Sequence, residues 1–302
     1  MMEMSDEYRF ILDDYKAYLR IERSLSPNTI SSYCSDIEQL FLFLKEKGFL
    51  SPSNASSDDL VEFISAIAEK GIAKRSQARI ISSLKSFYSF LEVEGQVKDN
   101  PCDKLDAPKM QLHLPSVLSI EEVMAVISSV DLSQPQGHRN RAIIEMLYSC
   151  GLRVSELVNL RISDLFFDEG FIRVIGKGNK QRLVPVGEPA EKAVSLWMDI
   201  RKLHPIIAGN EDYIFLNRRG RKMTREMVFL IIKEQASIAG ISKVISPHTF
   251  RHSFASHMVE NGADLRVVQQ MLGHESILTT EIYTHIDRKK WQETILKFHP
   301  SA

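Results

Sequence analysis

Five of the nine histidines, His248, His252, His257, His274 and His285, fall within 38 residues, and the first two are four apart on a stretch that reads as a helix. Two histidines at that spacing share a helix face and could ligate zinc. The segment nevertheless lacks the glutamate of H-E-x-x-H, and Arg251 lies between the pair, where its fixed charge opposes a bound cation. Hydrolysis by an activated Ser or Cys finds no support either: there is no G-x-S-x-G elbow, and Cys150-Gly151 stands in no recognisable oxyanion motif. Chemistry on a phosphate fits better. His248 and Arg251 are one turn apart just after Ser246-Pro247, near a helix N-terminus whose free N–H groups and dipole already favour an anion. Arg153, Lys177, His274 and Tyr283 could join them. Taken singly, each has an ordinary explanation: an ion pair with Glu156 at i+3, a solvated turn residue, a helix C-cap, and aromatic packing.

The elements that must carry these residues are mostly helical. Ser26-Pro27 is an N-cap followed by Pro at the first helical position, opening a run with Ile30, Tyr33, Ile37, Leu40, Phe41 and Leu44 on one face. Similar spacing marks 8–21, 60–68 and 72–93, so the first hundred residues predict a small helical bundle. Pro101, Pro108 and Pro115 then interrupt any period, and residues 101–116 read as a linker. Ser119 with Glu122 forms a capping box that opens a second helical region at Ile120. Past Asp164 the period changes: 171–175 and 181–186 are β-rich around Gly176-Lys177-Gly178-Asn179-Lys180, a hairpin, with 165–167 as a candidate third strand. Helices resume from Thr224 to Ala239, from Ser246-Pro247 to Asn261-Gly262, and from Asp264 to Gly273. A last one is expected over 288–298, capped by Asp287, with Trp291, Ile295 and Phe298 as an apolar stripe.

A chain of 302 residues is about two domains. No apolar run approaches the ~18 residues of a membrane span, and the first seven residues are acidic where a secretory signal would be basic and then apolar. Cys34, Cys102 and Cys150 are odd in number and show no C-x-x-C spacing, so they are expected buried and reduced in a cytosolic protein. The net charge of −1 argues against a nucleic-acid partner until its distribution is read. Residues 70–91 hold five basic side chains and no acid, and residues 218–225 hold five basic side chains in eight. Either stretch alone is also what a solvated face looks like.

Taken jointly the motifs say more. Gly151-Leu152-Arg153-Val154-Ser155-Glu156-Leu157, then Lys177 in a hairpin, then His248-Thr249-Phe250-Arg251-His252, then Leu272-Gly273-His274, then Thr279-Thr280-Glu281-Ile282-Tyr283-Thr284-His285 closely resemble the tyrosine recombinase (phage integrase) family, and within it the XerC/XerD type. The resemblance covers nearly the whole chain, including Ser26-Pro27-Asn28-Thr29 and Arg75-Ser76-Gln77-Ala78-Arg79. His299-Pro300 and Leu265-Arg266-Val267-Val268-Gln269 resemble the XerD type more than the XerC type.

The resemblance implies a mainly α protein with a small antiparallel β-sheet: an N-terminal helical core-binding bundle over 1–100, the linker 101–116, and an α+β catalytic domain over 117–302 that ends in an interaction helix. It implies site-specific DNA cleavage and rejoining without metal, ATP or other cofactor. Tyr283 would be the nucleophile, Arg153 and Arg251 the phosphate clamp, Lys177 the general acid, and His248 and His274 the groups that neutralise the phosphate and manage the tyrosine proton, with Glu156 orienting them. Arg75, Gln77, Arg79 and Lys85 would face the major groove, and Arg219 and Arg225 the DNA backbone. The implied partners are a double-stranded dif-type recombination site, a sister XerC-like recombinase or self in a tetramer, and an FtsK-type translocase, in the cytoplasm at the nucleoid. The last helix would dock in trans on a neighbouring protomer. A mobile-element integrase or phase-variation invertase would share the chemistry, and an accessory factor with a spent active site is the reading from another class.

Overall fold

Helices dominate the structure, a computed structural model that describes residues 6–103, 105, 117–176, 180–273 and 285–301, without the side chains of 6, 7 and 285–290. The chain divides into two compact units, 1–113 and 114–302, each with its own core.

The first unit is built from α1 (Asp6–Ile21), α2 (Pro27–Glu46), α3 (Ser57–Glu69) and α4 (Lys74–Val93). Local chemistry sets the starts. The Ser26 hydroxyl accepts from the Thr29 amide ahead of Pro27, and Ser56 forms a reciprocal capping box with Asp59. Tyr15, Leu19, Ile37, Leu40, Leu44, Leu60, Leu84, Phe87 and Leu91, spaced three or four apart on their helices, make a core that excludes water. Cys102 and Leu105 belong to that core. One charge is buried in it: the Asp36 carboxylate accepts from the Ser83 hydroxyl at 2.6 Å and from the Arg79 guanidinium.

The second unit runs α5 (Ile120–Ser128), α6 (Pro135–Ser149), α7 (Val154–Asn159), β1 (Leu165–Phe166), β2 (Phe171–Ile175), β3 (Gln181–Pro185), α8 (Glu188–Arg201), α9 (Arg225–Ile238), α10 (Pro247–Glu260), α11 (Leu265–Leu272) and α12 (His285–Phe298). The strands form one antiparallel sheet in sequence order. Its register pairs Ile172 with Val184 and Val174 with Arg182, so these four side chains share the face turned to the core. Helices α6, α8 and α10 pack around that core, and α12 packs on α10 and β3.

The tail departs from expectation. The last helix begins at His285 and lies on its own unit, with Trp291 and Ile295 inside the core. The Asn261 amide donates to the Phe298 carbonyl at 2.7 Å, and His299 is enclosed by Tyr148 and Phe254. This is the seat of the tail in the single chain. Its apolar stripe is long enough to bury in cis once α10 and β3 present a matching surface.

Candidate active site

Gly151 makes the site possible. It ends α6 with φ +56°, and a Cβ there would meet Phe254 Cδ1 at 2.7 Å and Leu272 Cδ2 at 2.8 Å. The tight turn delivers Arg153 to the N-cap of α7, where Glu156 at the third helical position reaches back to the Arg153 amide at 2.9 Å. The same carboxylate accepts from Arg153 Nη1 at 2.8 Å. Arg251, in the first turns of α10, is buried; its Nη1 donates to the Gly151 carbonyl at 2.6 Å and its Nη2 to the Leu272 carbonyl at 2.7 Å.

The C-terminus of α11 organises the rest. Its final carbonyls would be orphans at the negative end of a helix dipole, and Gly273 follows them in the left-handed conformation at φ +67°. Three guanidiniums from three separate segments satisfy them. Arg182 Nε donates to Met271 O at 3.0 Å, Arg251 to Leu272 O, and Arg153 Nη2 to Gly273 O at 3.2 Å. Arg182 also lays its fork on Glu156, at 2.7 and 2.9 Å. Burial alone would raise the Glu156 carboxyl, but hydrogen bonds and charge from Arg182 and Arg153 outweigh it and hold the group below the usual carboxylate range. Burial, and then the neighbouring charge of Arg153, pushes the Arg251 guanidinium down to about 9, so it remains charged at neutral pH. Three arginines and one carboxylate leave a local charge of 3 − 1 = +2. That is an anion site, and its planar donors suit a phosphate.

Of the sequence-selected residues, Arg153, Glu156 and Arg251 come together here. His248 stands exposed at the second position of α10, one turn before Arg251. Lys177, His274 and Tyr283 lie outside the described residues, although the chain leaves this cluster directly into two of them: Gly273 precedes His274, and Gly176 precedes Lys177. Among the described residues no three His, Cys, Asp or Glu side chains are grouped to hold a metal ion.

On α4, Arg75 and Lys85 are exposed. Gln77, half-buried, donates to the Ile72 carbonyl at 2.6 Å, and Arg79, exposed as well, has its Nη1 tied to Asp36 and to the Ser32 carbonyl. Arg219 and Arg225 are exposed. No local motif marks Arg182 in the sequence. The signal was there: with Ile172, Val174 and Val184 on one face of a hairpin, alternation places an arginine inside.

Residues 117–290 match the phage integrase family, and residues 12–95 match the phage integrase N-terminal SAM-like domain. The chain is 44% identical over 303 residues to the tyrosine recombinase XerD of Chlorobaculum tepidum, covering 99% of each. Its fold is similar to that of the XerH site-specific recombinase bound to palindromic difH substrate in a post-cleavage complex, with a TM-score of 0.73, 23% identity and coverage of 97% of both chains. It is also similar to a lambda integrase tetramer bound to a Holliday junction, with a TM-score of 0.69, 20% identity and coverage of 93% of this chain and 80% of the other.

Proposed function

This chain belongs to the phage integrase family of tyrosine recombinases, site-specific enzymes that break and rejoin DNA, and from that premise we propose how its own residues divide the work. The convergence of Arg153 and Arg251 on one point, both charged and both anchored to backbone, carries the reading. They hold the non-bridging oxygens of the scissile phosphate, where charge grows as a fifth ligand approaches; one such preorganised donor is worth about 3 kcal/mol. Tyr283 attacks phosphorus through its phenol oxygen, forming a 3′-phosphotyrosyl bond as the bond to the 5′ oxygen breaks. Lys177 gives that leaving oxygen its proton. His248 and His274 neutralise the phosphate and take up the tyrosine proton. Because the phosphotyrosyl ester conserves the bond energy, the 5′ hydroxyl of a second DNA end reverses the step with no nucleotide cofactor.

The DNA is a dif-type site, gripped by the exposed Arg75 and Lys85 of α4 and by Arg219 and Arg225, with Gln77 and Arg79 shaping the face they present. The working assembly is a tetramer, of this chain or with a sister XerC-like recombinase, served by an FtsK-type translocase at the nucleoid in the cytoplasm. Among the described residues no helix is long and apolar enough to cross a membrane. The test is selection of bound DNA from a random-sequence pool, followed by incubation with a nicked duplex of the recovered site. A covalent protein–DNA adduct on one strand is expected. Tight binding with no adduct under any nick position would reduce the chain to an accessory factor.

A further inference from the structure

Arg182 is the one arginine of the cluster whose three guanidinium nitrogens all bond to protein. It sits on the inward face of β3, 7% exposed, where alternation with Val184 would otherwise call for an apolar side chain. All three of its donor groups are spent on protein: both Nη on Glu156 and Nε on the Met271 carbonyl. A buried ion pair of this kind is poor value as stabilisation, since well-packed apolar residues often do as well or better. Its placement suggests another use. Glu156 alone would neutralise Arg153, leaving a weaker site for a phosphate. With Arg182 bonded to both oxygens of the carboxylate, sharing Oε1 with Arg153, the four groups total +2, and removing it would leave 2 − 1 = +1. A phosphodiester carries one negative charge, and the five-coordinate state formed by a phenolate carries two.

The same side chain joins three pieces of backbone. It is five residues from Lys177 in the strand that leaves the hairpin. A Cβ at Gly176 would sit 3.8 Å from both Arg182 Nη1 and Glu156 Oε1, so the base of that hairpin rests on the pair. Through Met271 it holds the end of α11 that leads to His274, and a Cβ at Gly273 would lie 3.1 Å from its Cδ.

The geometry points to Arg182 as a positioning residue of strand cleavage: it fixes the Glu156 carboxylate so that Arg153 keeps its aim and its charge for the phosphate. This rests on the recombinase reading above. A positioning error of about 1 Å can cost up to about 10²-fold in rate. In the full chain, Arg182→Gln should slow single-turnover adduct formation on saturating nicked duplex by about that factor, while the gel-shift Kd moves less than about twofold. In a Glu156→Gln background the same substitution should cost no more than about threefold, because the two side chains act as one unit. Should Arg182→Gln not fold, Arg182→Lys keeps the charge but cannot span Glu156 and Met271 together, and a loss of about tenfold is expected. Wild-type cleavage by either folded variant, or fully multiplicative effects of the Glu156 and Arg182 substitutions, would overturn the assignment. Failure of the wild-type chain to form an adduct would instead refute the recombinase reading.

Discussion

Arginine chemistry at this site is divided by exposure rather than by type. Arg182 is buried with all three nitrogens bonded to a carboxylate or a carbonyl, Arg251 is buried but commits only one N–H of each Nη to backbone, and the Arg153 side chain is 36% exposed on the side that meets a ligand. With the clamp built in advance, the nucleophile and general acid can be tested separately from binding. Tyr283→Phe should leave the gel-shift Kd within about twofold and abolish the adduct, because one oxygen is removed and no phosphate donor. An adduct at wild-type yield would move the nucleophile to another tyrosine. Lys177→Ala should slow cleavage by about 10²- to 10⁴-fold on ordinary DNA and recover most of that on a substrate whose 5′ leaving oxygen is sulfur, since a thiolate departs without a proton. Equal defects on both substrates would mean that Lys177 does something else. At this scale the sequence was legible where a residue type recurs with a motif around it, as for Arg153, Glu156 and Arg251. It was opaque for Arg182, which no local motif marks and only its strand face betrays.

Elements carry the precision. The hairpin, the capping box at Ser119 and the proline-led starts of α2 and α10 were readable, because turn and cap chemistry acts within four residues. Helix α8 was missed although Pro189 in its first turn and Ala190, Ala193, Val194 and Trp197 on one face announce it. The faces of α4 were not settled either, since the tie of Arg79 to Asp36 depends on a partner 43 residues away. Gly151 shows how an element junction bears on the chemistry. Gly151→Ala adds a methyl into Phe254 and Leu272 at a left-handed φ and displaces the carbonyl that anchors Arg251. It should cost about 2 kcal/mol or more in urea unfolding and slow adduct formation as well. Gly48→Ala, also at positive φ but with nothing within 4 Å of its Cβ, should cost only about 1 kcal/mol and leave cleavage unchanged. Equal effects at the two glycines would contradict the packing argument.

At the scale of the whole molecule the tail decides how the second unit responds to its surroundings. His299 is buried among Tyr148, Phe254 and His257, and its Nδ1 accepts from the Ser301 amide at 3.1 Å. Burial pushes its pKa down to about 4, with the Tyr148 backbone pulling the other way and His257 adding to the fall. The folded chain thus holds this imidazole neutral, while the unfolded chain protonates it below about 6.5. Stability from this group is present above that pH and is lost as pH falls from about 6.5 toward about 4. Unfolding of the second unit should become easier by about 2 kcal/mol between pH 7 and pH 5, and His299→Gln should flatten that dependence. An unchanged slope in the variant would assign the effect to other groups. Docking of α12 in cis also has an optical consequence. The chain holds only two tryptophans, Trp197 on α8 with its indole N–H on the Ile214 carbonyl, and Trp291 on α12. Both are dark to solvent while the tail is seated, and the first unit contributes no indole emission at all. In a Trp197→Phe chain every indole photon would come from the tail, so a red shift on adding DNA or a second protomer would report its departure in real time, unmixed with any change elsewhere.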